Sequence, residues 1–354
     1  MVDWLAGKRV RGTSSERTPL GVTLGGTGVG GWVELGRTTL GSDGDSIDVT
    51  SLADKRYYMV LDYSLNSSTI DSYTQINGDT GSNYSQRRSI DGGTDATNTS
   101  LTYQDAVFGS GVAVPHFGVR YIANYASKEK LTIGHYVRQN TAGASNAPNR
   151  TEIVSKWANT SNAINRINTQ NSSGGSFATG SEVVVLGWDP ADTHTNNFWE
   201  ELYSGSGDAG MDTGVSGFSA RKYLWIQMYL NDMISGANVN MVLNGVESSN
   251  YALRYNQNDG TDGTITSRSD NLIHLGASNE TEAFINIFII NNGSNEKLGI
   301  VHNMTQQTAG ATTAPARSEL VFKDSQTTQI TDVEVRRTSG SWGANSELRI
   351  WGAD

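Results

Sequence analysis

The sequence predicts an all-β protein made of two tandem β-sandwich (jelly-roll-like) domains that arise from an internal duplication. Three observations predict this. The second half repeats the first: Ser82-Asn83-Tyr84 returns as Ser249-Asn250-Tyr251, and Glu129-Lys130-Leu131 as Glu296-Lys297-Leu298, at one offset of 167 residues. At the same step Thr141-Ala142-Gly143-Ala144 returns as Thr308-Ala309-Gly310-Ala311, and Pro148, Arg150 and Glu152 are matched by Pro315, Arg317 and Glu319. A step this long copies a domain rather than a solenoid unit. Second, short apolar or alternating runs are separated by Gly, Asn, Asp and Ser turns. Third, neither half holds a convincing amphipathic helical pattern.

Residues 1–30 read as a basic arm followed by a Gly-rich linker. Trp4, Lys8, Arg9 and Arg11 are its expected assembly contacts, the cations seeking an acidic surface. The first sandwich is expected over 31–189, with strands at 32–35, 47–50, 57–63, 117–122, 129–137, 150–157, 164–167 and 181–188. The 57–63 run is apolar on both faces, as interior strands are. Asn77-Gly78 and Asp91-Gly92 are turns at which positive φ is tolerated. After a linker at 190–197, the second sandwich at 198–354 repeats the plan, with strands at 198–203, 223–230, 284–290, 298–301, 318–322 and 346–351. Each copy should hold about eight strands, and its last strand should pair with its first.

Composition narrows the function. Hydrophobic residues make up 36% and charged residues 18%, with 40 glycines, which suits sheets joined by many turns. A net charge of −10 argues against a general grip on nucleic acid, so no sequence-specific nucleic-acid partner is expected. Cysteine is absent, which removes disulfide and thiolate chemistry. No apolar run is long enough to span a membrane, and no secretion leader is visible after Met1. An exterior-style β-protein of this kind is expected in a virion, assembled in the host cytoplasm and later extracellular.

Positions kept in both copies are the candidates for a site. Trp32/Trp199 and Leu35/Leu202 are expected in the core. Glu129-Lys130 and Glu296-Lys297 stand at a hairpin mouth, either as a shared contact point or as a solvated, ion-paired turn. The loops holding Gly143 and Gly310 are small enough for another backbone to approach, as a binding loop, an inter-subunit contact or plain scaffold. Arg150 with Glu152, and Arg317 with Glu319, share a strand face and are expected to pair with the next strand. His135 and His302 recur without a second histidine at ligand spacing, and are expected to be sandwich-face residues. Asp91, Asp95, Asp259 and Asp262 lie on corresponding Asp/Gly turns and are the metal candidates, with Ca²⁺ the ion that suits them and no other cofactor expected. Asn83, Tyr84, Asn250 and Tyr251 are the candidates for a ligand or contact loop, against the alternative that both tyrosines pack inside their own domain. There is no phosphate loop and no nucleophile elbow, so no enzyme is expected; a glycoside hydrolase or lyase is the residual alternative.

The run through Trp32, Asp45-Ser46-Ile47, 57–61, 77–84, Arg87, 128–133, 146–150, 156–160 and 180–187 resembles uncharacterised β-sandwich structural proteins of environmental archaeal and tailed viruses. The opening 5–18 looks like a leader that precedes sandwich domains in that group. The resemblance covers nearly all of the first copy and the second weakly, and it brings no catalytic residues. It implies a virion structural protein, capsid- or tail-associated, that assembles with copies of itself and other virion components. Two sharper alternatives stand beside it. One is a double jelly-roll major capsid protein. The other is a carbohydrate-binding appendage module that contacts host-surface glycans.

Overall fold

The computed structural model describes residues 31–354 apart from 69, 108–113, 191–196, 207–214, 232–236, 259, 275–281, 307–309 and 339–341. Trp4, Lys8, Arg9 and Arg11 of the expected arm, the candidate Asp259 and most of the 190–197 linker lie outside the described residues. Among the described residues every regular element is a strand.

The first half contributes Val33–Thr39 (β1), Ser46–Val49 (β2), Tyr57–Ser64 (β3), Ser72–Ile76 (β4), Tyr84–Ile90 (β5) and Ala96–Leu101 (β6). It continues with Gln104–Val107 (β7), His116–Ala123 (β8), Lys130–Arg138 (β9), Asn149–Trp157 (β10), Ile167–Asn171 (β11) and Glu182–Trp188 (β12). The second half contributes Glu200–Ser206 (β13), Val215–Ser216 (β14), Tyr223–Asn231 (β15), Val239–Leu243 (β16), Tyr251–Gln257 (β17) and Gly263–Arg268 (β18). Asn271–His274 (β19), Glu282–Ile290 (β20), Lys297–Thr305 (β21), Ala316–Asp324 (β22), Asp332–Arg337 (β23) and Glu347–Ala353 (β24) complete it.

Each half forms one sheet of eight strands and one of four, all antiparallel. The first half orders them β1-β12-β3-β8-β9-β10-β5-β6 and β2-β11-β4-β7. The second half orders them β13-β24-β15-β20-β21-β22-β17-β18 and β14-β23-β16-β19, so strand for strand the order is the same. First and last strands pair in both halves, and a bulge recurs between Glu34/Gly36 and Glu201/Tyr203. Leu35 and Leu202, expected in the core, fall in that bulge and are only half-buried against it. Tyr223 pairs with Ile290 as Tyr57 pairs with Ala123, so β3 and β15 correspond one residue out of the 167 step.

Among the described residues each half holds twelve strands rather than the eight expected. The missed ones in the first half, β4 to β7, are rich in Ser, Thr, Asn and Gln and carry no apolar alternation. The expected strand at 164–167 is also displaced. Ile164 lies in a loop, fully buried, with its carbonyl accepting from the Tyr58 hydroxyl at 3.0 Å, and the strand starts only at Ile167.

Three large apolar cores, beside a small pair of Tyr136 and Ile153, follow among the described residues from the alternation of the strands. In the first half Ile47, Ile76 and Ile167 from the small sheet meet Tyr58, Val60, Val183 and Val185 from the large one. In the second half Val239, Met241, Val333 and Val335 meet Leu224, Ile226, Ile285 and Ile287. The third core lies between the halves. Met59, Leu61, Tyr63, Phe117, Val119, Val184 and Leu186 pack with Tyr223, Phe288, Ile290, Leu298, Ile300 and Val321. Over residues 57–61 the β3 run is therefore apolar on both faces, because each face belongs to a different core.

Candidate functional site

Several of the residues that recur at the 167 step converge where the two large sheets face each other. On β9 the side chains of Leu131, Ile133, His135 and Val137 share the face turned to the second half, because strand neighbours alternate. Directly beside them on β10 stand Lys156, Val154, Glu152 and Arg150. In the second half β21 and β22 present Leu298, Ile300, His302 and Met304 beside Lys323, Val321, Glu319 and Arg317.

At the centre of this seam two equivalent pairs touch their own counterparts. His302 Nε2 lies 3.2 Å from His135 Nδ1, the rings edge to face with centroids 4.2 Å apart. Burial holds both imidazoles below the ordinary histidine range, and for His135 the neighbouring His302 and Arg150 push in the same direction. At this distance one ring donates to the other. Beside it, burial raises the Glu152 carboxyl to about 7 against the pull of Arg150, and the Glu319 carboxylate raises it further.

Arg150 anchors the seam. It is 4% exposed and reaches Asp262 at 2.9 Å, Glu152 at 3.2 Å and the Glu319 carbonyl at 3.1 Å. Asp91 accepts from the Arg150 amide at 2.8 Å and from Asn149 at 2.6 Å, and pairs with Arg254 at 3.2 Å. Arg254 also donates to the Pro148 carbonyl at 3.0 Å. At the rim the Gly143 amide donates to Glu296 at 2.6 Å, with Gly143 at φ +80, and Lys323 donates to the carbonyls of Gln139 and Thr141. The Gly143 loop is thus a contact between the halves. Its counterpart Gly310 is exposed.

The other sequence candidates divide as follows. Tyr84 and Tyr251 are buried, and their hydroxyls accept from the amides of Ile76 at 3.0 Å and Leu243 at 2.8 Å. They hold the turns at Asn77-Gly78 and Asn244-Gly245 from inside, as the alternative of packing within their own domain expects, and not as aromatics of an open ligand loop. Asn83 is exposed and bonds Asp79 at 2.9 Å, and the Asn250 amide donates to the Ser248 carbonyl. Of the metal candidates, Asp95 is exposed and faces Arg87 at 3.5 Å, while Asp91 and Asp262 face arginines within the seam. Among the described residues no three His, Asp or Glu side chains converge as a metal site.

Sequence reasoning missed the role of the paired lysines. Lys130 and Lys297 are buried, not solvated. Lys130 donates to the carbonyls of Tyr125 and Lys128 at 3.0 and 2.8 Å. Lys297 donates to those of Asn292, Asn295 and Thr327 at 2.8, 2.6 and 3.0 Å, and burial lowers its ammonium to about 8. Recurrence was the available signal; the carbonyl cage was not visible. Reasoning also missed Asp62 and Arg120, a buried ion pair inside the first half at 3.5 Å.

No protein-family model matches the chain, and no curated protein sequence does. Among solved structures, the attachment invasion locus protein Ail of Yersinia pestis aligns at 5% identity over 77% of this chain and 98% of its own, with a TM-score of 0.14. Domains LG4-5 of the mouse laminin α1 chain align at 10% identity over 91% of this chain and 90% of theirs, TM-score 0.19. Neisserial surface protein A aligns at 7% identity over 79% and 97%, TM-score 0.13. Likenesses this low carry no weight for fold or function.

Proposed function

We propose that the chain is a self-assembling structural protein of a virus particle, built as two jelly-roll sandwiches from an internal duplication. The strand order is the observation that supports this reading. Setting aside the hairpins β5–β6 and β9–β10 leaves eight strands in the first half; renumbered, they run 1-8-3-6 in one sheet and 2-7-4-5 in the other. That is the two-sheet order of a jelly roll, an architecture of capsid and lectin domains. The second half gives the same order after the same deletion, which supports duplication.

The extra hairpins widen one sheet of each roll and carry the seam residues, so the doubled unit has a firm internal contact to bring into an assembly. A double jelly-roll capsid protein is the sharper form, since two rolls per chain give a trimer a pseudo-sixfold outline. The carbohydrate-binding alternative loses its aromatic platform with Tyr84 and Tyr251 inside the domains. Virions remain the proposed location, with copies of the chain and other virion components as partners. Electron microscopy of the native particle tests the reading. Density for two packed sandwiches in a shell or appendage is the expected result; a dispersed monomer with no particle association refutes it.

A further inference from the structure

The contact between the halves is one-sided, and the unused side repeats the residues of the used side. Among the described residues, the exposed large apolar side chains include Leu131, Ile133 and Val154 on β9 and β10, at 57, 52 and 49%. Their counterparts Leu298, Ile300 and Val321 are 0, 2 and 2% exposed, covered by the first half. On the other half Tyr229, Phe284 and Met304 form a cross-strand row on β15, β20 and β21 at 38, 44 and 44%. Their counterparts Tyr63, Phe117 and Val137 are 1, 1 and 0% exposed, covered by the second half.

The polar residues follow the same rule. Lys323 is fully buried and donates to the first half, and Glu296 accepts from the Gly143 amide; their counterparts Lys156 and Glu129 are half-exposed and turn to each other at 2.9 Å. Arg150 is engaged with Asp262 and Glu319 across the seam, whereas Arg317 is 56% exposed and turns to Glu319 of its own strand. A surface like that of the first half (Tyr63, Phe117, Val137, Arg150) fits a surface like that of the second (Leu298, Ile300, Val321, Lys323). Every chain therefore presents one further copy of each partner surface.

We propose that the Tyr229/Phe284/Met304/Arg317 edge of one chain docks on the Leu131/Ile133/Val154 edge, flanked by Glu129 and Lys156, of a second copy. The contact is heterologous, head to tail, and confined to the rows that the internal seam leaves uncovered. Arg317 then meets the exposed Asp95 side of the neighbour, as Arg150 meets Asp262 within the chain. A contact confined to rim rows lies at the small end of specific interfaces, so association should depend on concentration. The inference rests on the self-assembly reading above and names the surface that would serve it.

Sedimentation velocity on the full chain across a concentration series tests it, with Phe284→Asp and Ile133→Asp, and with Met304→Lys and Val154→Lys as a second pair. All four positions are exposed, and circular dichroism melts confirm the fold of each variant. Wild type is expected to grow in mass with concentration. Each single variant is expected to stay monomeric, and an equimolar mixture of Phe284→Asp with Ile133→Asp to stop at a one-to-one dimer, because each supplies the face the other lacks. Non-specific stickiness gives no such stop. A wild type that is monomeric throughout, variants that still associate, or a mixture that stays monomeric overturns the proposal. The two readings fail separately: a particle whose subunits touch elsewhere removes this contact and keeps the virion role, while head-to-tail oligomers absent from any particle do the reverse.

Discussion

Replacing Arg120 by isoleucine should cost far more than replacing Arg120 and Asp62 together. Both residues are inside the first half, 1 and 0% exposed, with 3.5 Å between Arg120 Nη2 and Asp62 Oδ2. Ser64 and Thr169 donate to Asp62 at 3.1 and 3.4 Å, and Arg120 donates to Thr74. The register supplies a natural control. Val60 pairs with Arg120 as Ile226 pairs with Ile287, and Asp62 pairs with Gly118 as Met228 pairs with Ile285. The second half therefore fills the same two places with Met228 and Ile287, both in its apolar core. Arg120→Ile strands a buried carboxylate and should destabilise by about 3–5 kcal/mol, whereas the double substitution Asp62→Met with Arg120→Ile should fall within ~1 kcal/mol of wild type or exceed it. Burial already raises the Asp62 carboxyl although Arg120 opposes the rise. A raised carboxyl contributes stability below its unfolded value that is lost as pH rises through the folded value. The single variant should accordingly suffer less at pH 5 than at pH 8. Urea unfolding of the full chain, followed by tryptophan fluorescence at both pH values, reads all of this. A double variant that loses the sum of the two single losses would refute the reasoning.

Other outcomes follow from the same geometry. Glu152, raised to about 7 from 4.5, gives the seam stability that is full below the lower value and lost through the upper one, ~2 kcal/mol after allowance for partial exposure. Glu152→Gln keeps the size and hydrogen-bonding of the side chain without titrating, so its melting temperature should vary less than the wild type's between pH 5 and pH 8; equal slopes would count against a raised Glu152 carboxyl. Lys297→Met leaves three carbonyls without their donor and should lower stability by roughly 2–4 kcal/mol in denaturant titration, with a cost near zero excluding the cage role. Phe288, 2% exposed and stacked on Trp225 at 5.4 Å, should cost about 3–5 kcal/mol as Phe288→Ala in the same titration, and a cost below 1 would empty the third core of its weight. Removing residues 2–30 should leave the circular dichroism melt unchanged, since β1 begins at Val33, while oligomer mass by light scattering falls. A lost transition would show that the arm is part of the fold.

The legible part of the fold is the part whose strands are apolar. β3, β8, β12, β15 and β20 could be read because their side chains line cores on one or both faces. β4 and β7 could not. Thr74 and Gln104 point into the first half as part of a polar layer with Arg120, Asp62 and Thr132, and such a layer erases the period-two signal. The seam was half legible. The 167 step marked His135/His302, Arg150/Arg317 and Glu152/Glu319 as related pairs. It could not say that the histidines meet each other while the arginines part company, because sequence equivalence is symmetric and the packing is not. Lys156 and Lys323 read alike, yet one is half in water and the other fully enclosed.

The core between the halves sets a timetable for synthesis. The first half leaves the ribosome with Met59, Leu61, Tyr63, Phe117, Val119, Val184 and Leu186 on an open sheet face. At 5–20 residues/s, residues 190–354 need on the order of 10–30 s to follow, far longer than collapse takes. During that interval the nascent half is a sticky, nearly finished sheet in search of a lid. The lid can come from its own chain, which the short 190–197 tether favours by raising local concentration, or from the second half of a chain on a neighbouring ribosome. Crowded polysomes would then yield exchanged pairs whose every contact is native. Translation rate and message density, rather than the folded structure, would decide how many chains leave the ribosome singly.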